Sequence, residues 1–282
     1  MRLSHNMASL NIYREQSKVF EKQSSALGSI SSGLKISKTK DSPNGIAQSE
    51  RLRMQIRGNQ MAARNAQDGI SMLQTAEGAV GTINNMLIRI KELAVQAGSE
   101  TNSPDDKAII QQEISQMLQG IDDAANSMQF NGVKLLAPKV SELNMPIGAN
   151  RGDNIKIELF DIRTSQIEDI DGNKLNLDKI DVTVDGGTDK TIQTLDKAIQ
   201  KVLSARSKLG ALENRFESSY KNLTEISDKM QGAESSIRDA DIAEEMIEFS
   251  KGNILIEAGN ALMAQTNRFP QDILRILENM RR

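Results

Sequence analysis

Few side chains in this sequence have the type and spacing that catalysis or metal binding requires. The chain of 282 residues holds a single histidine, His5, and no cysteine, so it offers neither a histidine-based acid–base pair nor a thiolate metal site. It contains no His-Glu-x-x-His pattern and no phosphate-binding glycine loop. The paired carboxylates Asp105 and Asp106 directly follow a Ser-Pro dipeptide, an order that is typical of a helix start. We therefore predict no enzyme activity, no metal and no cofactor.

The composition narrows the class of protein further. The formal net charge is −3 and aromatic residues make up 3% of the chain, so neither a nucleic-acid-binding surface nor a thick globular core is indicated. The 13 methionines favour close packing between helices. No run of about 18 apolar residues occurs, which predicts no membrane insertion. The N-terminus lacks the apolar core of a secretory signal.

The strongest pattern lies in residues 195–237, where large apolar residues recur every seven positions and mostly small ones recur three positions later. A helix of this length would extend about 65 Å. It is too long for a compact domain to cover, so the remaining sequence must supply long partner helices. The predicted rod core is the row Leu195, Val202, Leu209, Phe216, Leu223, Met230 and Ile237.

Capping residues and apolar periodicity predict four further helices, over residues 2–33, 43–97, 103–128 and from about 242 onward. Pro270 predicts a kink or a new turn in the last of them. Between about 130 and 186 the apolar period changes to two. Residues 155–159 and 180–184 alternate and are predicted as strands, with a turn at 171–173. The sequence thus predicts long helices with a small β region.

Both ends of the chain carry apolar residues at heptad spacing, but their charges differ. Residues 1–40 have a net charge of +5 and residues 239–282 one of −3, which favours pairing of the two ends and a folded-back chain. Because each end is apolar on more than one face, one pair leaves apolar surface for other copies to cover. Alone, the ends should stay largely unfolded. The predicted polymerisation seam pairs Tyr13, Phe20 and Leu27 with Phe249, Ile256 and Met263.

Several blocks of the sequence resemble bacterial flagellin and occur in that family's order. The N-terminal half carries ISSGLKI at 30–36, QIRG at 55–58, RNAQDGIS at 64–71, QTAEGA at 74–79 and FNG at 130–132. The C-terminal half carries LGALENRF at 209–216, IRDAD at 237–241 and QTN at 265–267, followed by Pro270. Glu213 departs from the glutamine usual in the family.

The resemblance implies a mainly α fold of long coiled-coil helices folded back on themselves, with a small β-hairpin region. It implies a terminal coiled-coil layer of residues 1–40 with 240–282. Residues 41–239 would form a helical rod, with the β-hairpin region at about 130–186 and no sizeable outer domain. The implied function is a structural subunit that self-assembles into the bacterial flagellar filament for motility. The alternative is a hook–filament junction protein, which resembles flagellin at both termini.

The partners that the resemblance implies are further copies of the chain, a flagellar export chaperone, the filament cap and the hook-junction proteins. The implied location is extracellular, in the filament, after secretion through the flagellar export apparatus. Neither nucleic acid nor a membrane is expected as a partner.

The resemblance also implies a receptor-binding candidate. The stretch RIKELAVQ at 89–96 is similar to the family's contact motif for Toll-like receptor 5, with Glu113 on the next helix. Arg89 would make charge-assisted bonds, Leu93 would fill an apolar slot and Glu113 would add a second charge. The alternative role for these residues is contact with neighbouring subunits in a filament. Family analogy makes four residues candidates for surface sugars: Thr164, Ser165, Thr183 and Thr188.

Overall fold

The computed structural model of the chain describes residues 6–138, 140–169, 173–184 and 186–280. Its α-helices are α1 (Met7–Ser32), α2 (Pro43–Ala97), α3 (Pro104–Ser127), α4 (Gly187–Arg238) and α5 (Ile242–Met280). Strands β1 (Gln129–Phe130) and β2 (Val133–Lys134) form one antiparallel hairpin, and β3 (Glu142–Pro146) and β4 (Asn154–Glu158) form another. The predicted mainly α fold with a small β-hairpin region is confirmed.

The helix ends lie close to where the capping residues predict them. Ser103 precedes α3 and forms a capping box with Asp106, in which each side chain accepts a hydrogen bond from the other residue's backbone N–H. α1 ends just before Gly33, whose φ of +70° is left-handed and therefore favours glycine. Helix α2 begins and ends at its predicted bounds. Helix α4 extends beyond both ends of the predicted heptad row.

The chain divides into two compact units. The first comprises Met1–Ile56 and Asp228–Arg282, and the second comprises Arg57–Ser227. The sequence places the division after residues 40 and 239, so the first unit is larger than expected. The first turns of α2 and the last turns of α4 join it because Ser49 donates a hydrogen bond to Glu234 and Arg238 donates one to Glu50.

Apolar side chains from α2, α3, α4 and the β3–β4 hairpin form the core of the second unit. In α4, Leu195, Val202 and Phe216 are fully buried, and Leu209 and Leu223 nearly so. Burying one such side chain contributes roughly 1.5–3 kcal/mol. The other elements contribute Ile83, Leu87, Ile90, Ile114, Ile121, Ile155 and Ile157. The remaining heptad residues, Met230 and Ile237, belong to the first unit and are half-buried.

The β region differs from the prediction at its second strand. Residues 155–159 largely form β4, with Ile155 and Ile157 buried, but residues 180–184 form no strand. Instead, the side chain of Gln111 on α3 accepts a hydrogen bond from Val182 N and donates one to Ile180 O. The alternating pattern holds only in part. Ile180 is half-buried and Val182 is buried, whereas Asp181 and Thr183 are exposed. Val184, which would share the face of Val182, is exposed. A side-chain amide takes the backbone bonds that a neighbouring strand would make.

Some predicted features lie outside the described residues. These are His5, two residues of the predicted turn at 171–173, and the side chain of Pro270. The backbone of α5 continues as helix through position 270 to Met280. Among the helices that the structure describes, none has an apolar stretch long enough to span a bilayer.

Candidate assembly surface

Helices α1 and α5 pack against each other in opposite directions within the first unit. Near the end of α1, Ala240 N donates to Gly33 O at 3.0 Å and Lys35 N donates to Arg238 O at 2.8 Å. Near its start, the side-chain amide of Asn6 donates to Asn267 Oδ1 at 3.1 Å. The two ends of the chain therefore pair along most of the length of α1.

The face of α1 that meets α5 is not the one that the sequence predicts. The row Ile12, Val19 and Ala26 is half-buried or buried. Tyr13, Phe20 and Leu27, which lie one residue further along, are 61%, 61% and 53% exposed. One residue is about 100° around a helix, so this row points away from α5 in the single chain. The predicted pairing of Tyr13, Phe20 and Leu27 with the α5 row is therefore wrong within one chain.

On α5, the predicted row does lie on the inner side. Phe249, Ile256 and Met263 are half-buried, and small residues alternate with them at positions 252 and 259, both glycine. A second apolar row faces solvent: Leu255, Leu262 and Phe269 are exposed. Both helices thus pair through one apolar row and leave another uncovered.

The side-chain hydrogen bonds between the two helices are made by amides rather than by charged groups. Gln16 Nε2 donates to Asn260 Oδ1 at 2.6 Å and Gln23 Nε2 donates to Asn253 Oδ1 at 2.5 Å. The ion pairs in the described parts of these helices stay within one helix, for example Lys18 with Glu15 on α1 and one on α5. The opposite net charges of the two ends therefore form no ion pair between α1 and α5 in the described parts of these helices.

A mostly buried arginine that the sequence does not mark as a site residue joins α4 to α2 in the first unit. The side chain of Arg238 is 15% exposed and lies 3.2 Å from Glu50 and 4.0 Å from Glu234. Ser49 donates to the same Glu234 at 3.1 Å, while Arg238 Nε has no hydrogen-bond partner. Arg238 lies within the IRDAD block and Glu234 is four residues before it on the same helix, but its other partner, Glu50, is 188 residues away in sequence.

The receptor-binding candidates lie in the second unit and do not form one exposed surface. Arg89 Nη2 lies 3.5 Å from Glu113 Oε1, and Arg89 Nη1 lies 3.1 Å from Glu92. The hydrogen bond to Glu92, assisted by the charge of Glu113, raises the pKa of Arg89. Leu93 is only 2% exposed and belongs to the core. The predicted insertion of Leu93 into a partner's apolar slot is therefore wrong for the folded chain, because α2 turns this residue inward.

One of the predicted sugar acceptors is also buried. Thr164 is 3% exposed, and its hydroxyl and backbone N–H both donate to the carboxylate of Asp122, at 2.7 and 2.8 Å. A sugar on Thr164 would have to replace this contact. Among the described residues, no group of three or more His, Cys, Asp or Glu side chains could hold a metal ion.

Comparisons of the sequence and of the structure with known proteins all indicate the same family. The model of the bacterial flagellin N-terminal helical region matches residues 3–141, and that of the C-terminal helical region matches residues 192–277. The chain is 39% identical to a flagellin of Halalkalibacterium halodurans, over 98% of this chain and 100% of that protein. It is 40% identical to a flagellin of Bacillus subtilis (strain 168), again over 98% and 100%. The crystal structure of Bacillus cereus flagellin is similar, with 27% identity, a TM-score of 0.50, and coverage of 57% of this chain and 88% of that one.

Proposed function

The chain belongs to the bacterial flagellin family, and from this premise we propose that α1 and α5 are the segments through which it polymerises. The protein is a structural subunit that self-assembles into the flagellar filament, and it is not an enzyme. The hook–filament junction alternative has no support in the sequence relatives, which are flagellins over their full length. The proposal concerns which surface of the subunit contacts neighbouring subunits in the filament.

The observation that carries the proposal is the pair of uncovered apolar rows. Tyr13, Phe20 and Leu27 on α1 repeat every seven residues and stay exposed although α1 is already paired with α5. On α5, Leu255, Leu262 and Phe269 also repeat every seven residues and stay exposed. Exposed apolar rows at heptad spacing are suited to coiled-coil packing against further helices. In a homopolymer those helices are the α1 and α5 of neighbouring copies.

Ordering of the two helices is coupled to this assembly. The α1–α5 pair has a single fully buried apolar residue on α1, namely Ala26. So little burial does not offset the entropy of ordering two long helices. Covering the outer rows in the polymer supplies the missing burial, so that folding of the ends and polymerisation become one event.

Serine substitutions test the outer row. Phe20→Ser should abolish filaments in electron microscopy and sedimentation, whereas Val140→Ser should leave them intact, since Val140 is 63% exposed but outside the terminal helices. Both monomers should have the same thermal midpoint for the second unit. Filaments of normal length from Phe20→Ser, or from a chain lacking residues 1–30, would contradict the proposal.

Amide hydrogen exchange tests the coupling. In dilute monomer, α1 and α5 should exchange freely while the core of α4 is protected, and both helices should become protected in filaments. Protection of α1 and α5 in the monomer would show that their folding does not need neighbours.

We propose the remaining partners and the export route by analogy with the family. We assign the chain to the extracellular filament, reached through the flagellar export apparatus. An export chaperone would mask the apolar rows before secretion. The filament cap and the hook-junction proteins would contact the terminal helices at the ends of the polymer. Deletion of α5 should abolish chaperone capture in a pull-down and leave the second unit folded.

Recognition by Toll-like receptor 5 rests on Arg89 and Glu113, since both are half-exposed on adjacent helices. Leu93 has no part in it, because it is buried. A reporter assay should show a loss of response for Arg89→Ala monomer relative to wild type. Arg151→Ala, which removes an exposed arginine from a turn, is the control. Equal responses from Arg89→Ala and wild type would remove the assignment.

A further inference from the structure

Two short segments, residues 33–36 after α1 and residues 238–240 before α5, are bonded to each other through their backbones. We refer to these two segments as the junction. It holds the end of α1 beside the start of α5. Its contacts are three: Ala240 N donates to Gly33 O at 3.0 Å, Lys35 N donates to Arg238 O at 2.8 Å, and Leu34 pairs with Asp239 in an antiparallel bridge.

The junction is anchored to α2 and α4. The side chain of Arg238 is 15% exposed and donates hydrogen bonds to Ser49 and Glu50 on α2. Ile36 packs on α2 at Gly45, where an added Cβ would lie 2.8 Å from Ile36 Cδ1. Both helices continue into the core of the second unit. The junction therefore has support within the chain that does not depend on neighbouring copies.

The facing surfaces of α1 and α5 do not fix the register of the pair. Ile12 and Val19 on α1, like Phe249 and Ile256 on α5, recur every seven residues. A shift of one heptad, about 10 Å, would bring similar apolar side chains together again. The side-chain amides that bond across the pair also recur every seven residues on both helices, so a shift re-forms part of them.

The chain connection would allow such a shift, but the junction would not survive it. Residues 33–42 join α1 to α2 and could extend to about 33 Å, so α1 could slide one heptad away from the junction. Lys40 would then take the place of Gly33, whose left-handed φ of +70° favours glycine. The contacts of the junction do not recur along the chain, so they select one alignment.

We propose that the junction, and not the facing rows of the two helices, sets the register of α1 against α5. It holds the adjoining ends of the helices before these order, so that each α1 meets the α5 of its own chain in one alignment. A shift is opposed because it leaves the backbone donors and acceptors of the junction without their partners. This inference rests on the proposed polymerising role of α1 and α5, since it concerns the alignment that they adopt in the filament.

Amide hydrogen exchange in dilute monomer tests whether the junction orders first. The amides of Lys35 and Ala240 should be protected, while those in the middle of α1 and α5 exchange freely. Free exchange of both junction amides would overturn the inference, because a junction that is disordered in the monomer cannot align the helices beforehand.

Introduced cysteines report the register in assembled filaments, because the chain has none of its own. Gln23→Cys with Gly252→Cys reports the observed alignment. A Cβ added at Gly252 lies 3.3 Å from Gln23 Cβ, close to the separation of about 3.5–4.5 Å found in disulfides. Gln23→Cys with Gly259→Cys reports a shift of α1 by one heptad away from the junction. After oxidation, non-reducing gels separate disulfides within a chain from those between chains.

The junction is then broken by Lys35→Pro with Ala240→Pro, which removes both backbone donors. The control is Thr39→Pro with Ile242→Pro, which places prolines in the same two connections. Thr39 is the second residue of the turn at 38–41 and Ile242 is the first residue of α5, and both positions favour proline.

In the wild-type and control backgrounds only the 23–252 disulfide should form, within one chain. With the broken junction, the 23–259 disulfide, or disulfides between chains, should rise at least about fivefold, the factor that one hydrogen bond corresponds to. An unchanged preference for the 23–252 disulfide there overturns the inference.

Loss of filaments with the broken junction but not in the control supports the inference, because the second unit carries none of these substitutions and should keep its thermal midpoint. Failure of the proposed function is seen separately, as filaments formed by Phe20→Ser, and does not depend on which disulfide forms.

Discussion

Gly69 on α2 lies directly against the ring of Phe216 on α4. A Cβ added at Gly69 would be 2.9 Å from Phe216 Cε1, and Phe216 is fully buried. The ring cannot move aside without disturbing the heptad row of which it is the central member. The two longest helices of the second unit approach so closely at this point only because one of them carries no side chain.

We predict that Gly69→Ala destabilises the second unit, by about 1–3 kcal/mol as expected for overpacking of a buried site. Gly78→Ala is the matched control on the same helix, because nothing lies within 4 Å of an added Cβ there. Alanine is a better helix former than glycine by roughly 0.5–1 kcal/mol, so the control should be slightly more stable than wild type. Thermal or urea unfolding measures both. Equal midpoints for the two variants would contradict this close approach.

Removing the amide of Gln111 should release the segment of residues 180–182. Gln111→Leu leaves Val182 N and Ile180 O without their partner, at an expected cost of about 1–3 kcal/mol. The amide of Val182 should exchange with solvent faster, while those in the middle of α3 should not change. Gln112→Leu, at an exposed neighbouring position, is the control, and the same exchange rate at Val182 in both variants would refute the role of Gln111.

The capping box of α3 makes a specific contribution to the pH dependence of stability. Hydrogen bonds from the side chain and backbone of Ser103 hold the pKa of Asp106 below its ordinary value of 3.8. A depressed pKa in the folded state contributes stability above the unfolded-state value, and this contribution is lost as the pH falls through that value towards the folded one. Asp106→Asn should therefore lose stability at neutral pH and show a flatter profile between about pH 5 and 2.

Acid titrations of unfolding can check this with Asp105→Asn as the control. That variant removes the same charge from the same turn of α3, and it keeps the Ser103–Asp106 hydrogen bonds. Identical profiles for the two variants would mean that helix-end charge, rather than the capping box, produces the pH dependence.

Arg238 should stabilise the first unit through its two glutamates. Arg238→Ala would leave Glu234, which is 17% exposed, with a weaker positive neighbour in Arg53 at 3.6 Å. Removing one partner of a mostly buried charged group costs about 1–3 kcal/mol. The amides of Lys35 and Ala240, which bond across this region, should then exchange at least several-fold faster. Arg215→Ala, at an exposed site of α4, should leave them unchanged.

Local rules in the sequence predicted most of the fold. Ser103, Pro104 and Gly33 set helix ends through short-range sterics and capping, which do not depend on the remaining chain. The α4 row was predictable because one large residue every seven positions has a single helical interpretation. The face of α1 was not, since Ile12 and Tyr13 both begin apolar rows. Gln16 and Gln23, on the face that packs against α5, bond to groups 230 to 244 residues away in sequence, which no local pattern indicates.

The same limit applies to the site residues. Leu93 matched a family motif, but its burial depends on how α2 is rotated against α3 and α4. The pattern at 180–184 marked the burial of Ile180 and Val182 but not the exposure of Val184, and no periodicity reveals that a glutamine on α3 takes the place of a strand. In both cases the local pattern was present, but contacts with residues distant in sequence decided the outcome.

The attachment of residues 180–182 to a single glutamine has a practical consequence. Residues 183, 184 and 186 pair with no strand. Val184 is exposed, and Gly186 adopts a left-handed φ of +70° before α4 begins. Extra sequence placed after Val184 would interrupt no strand pairing and enter no core. The position after the exposed Val184 is therefore suitable for displaying a foreign peptide many times along the filament.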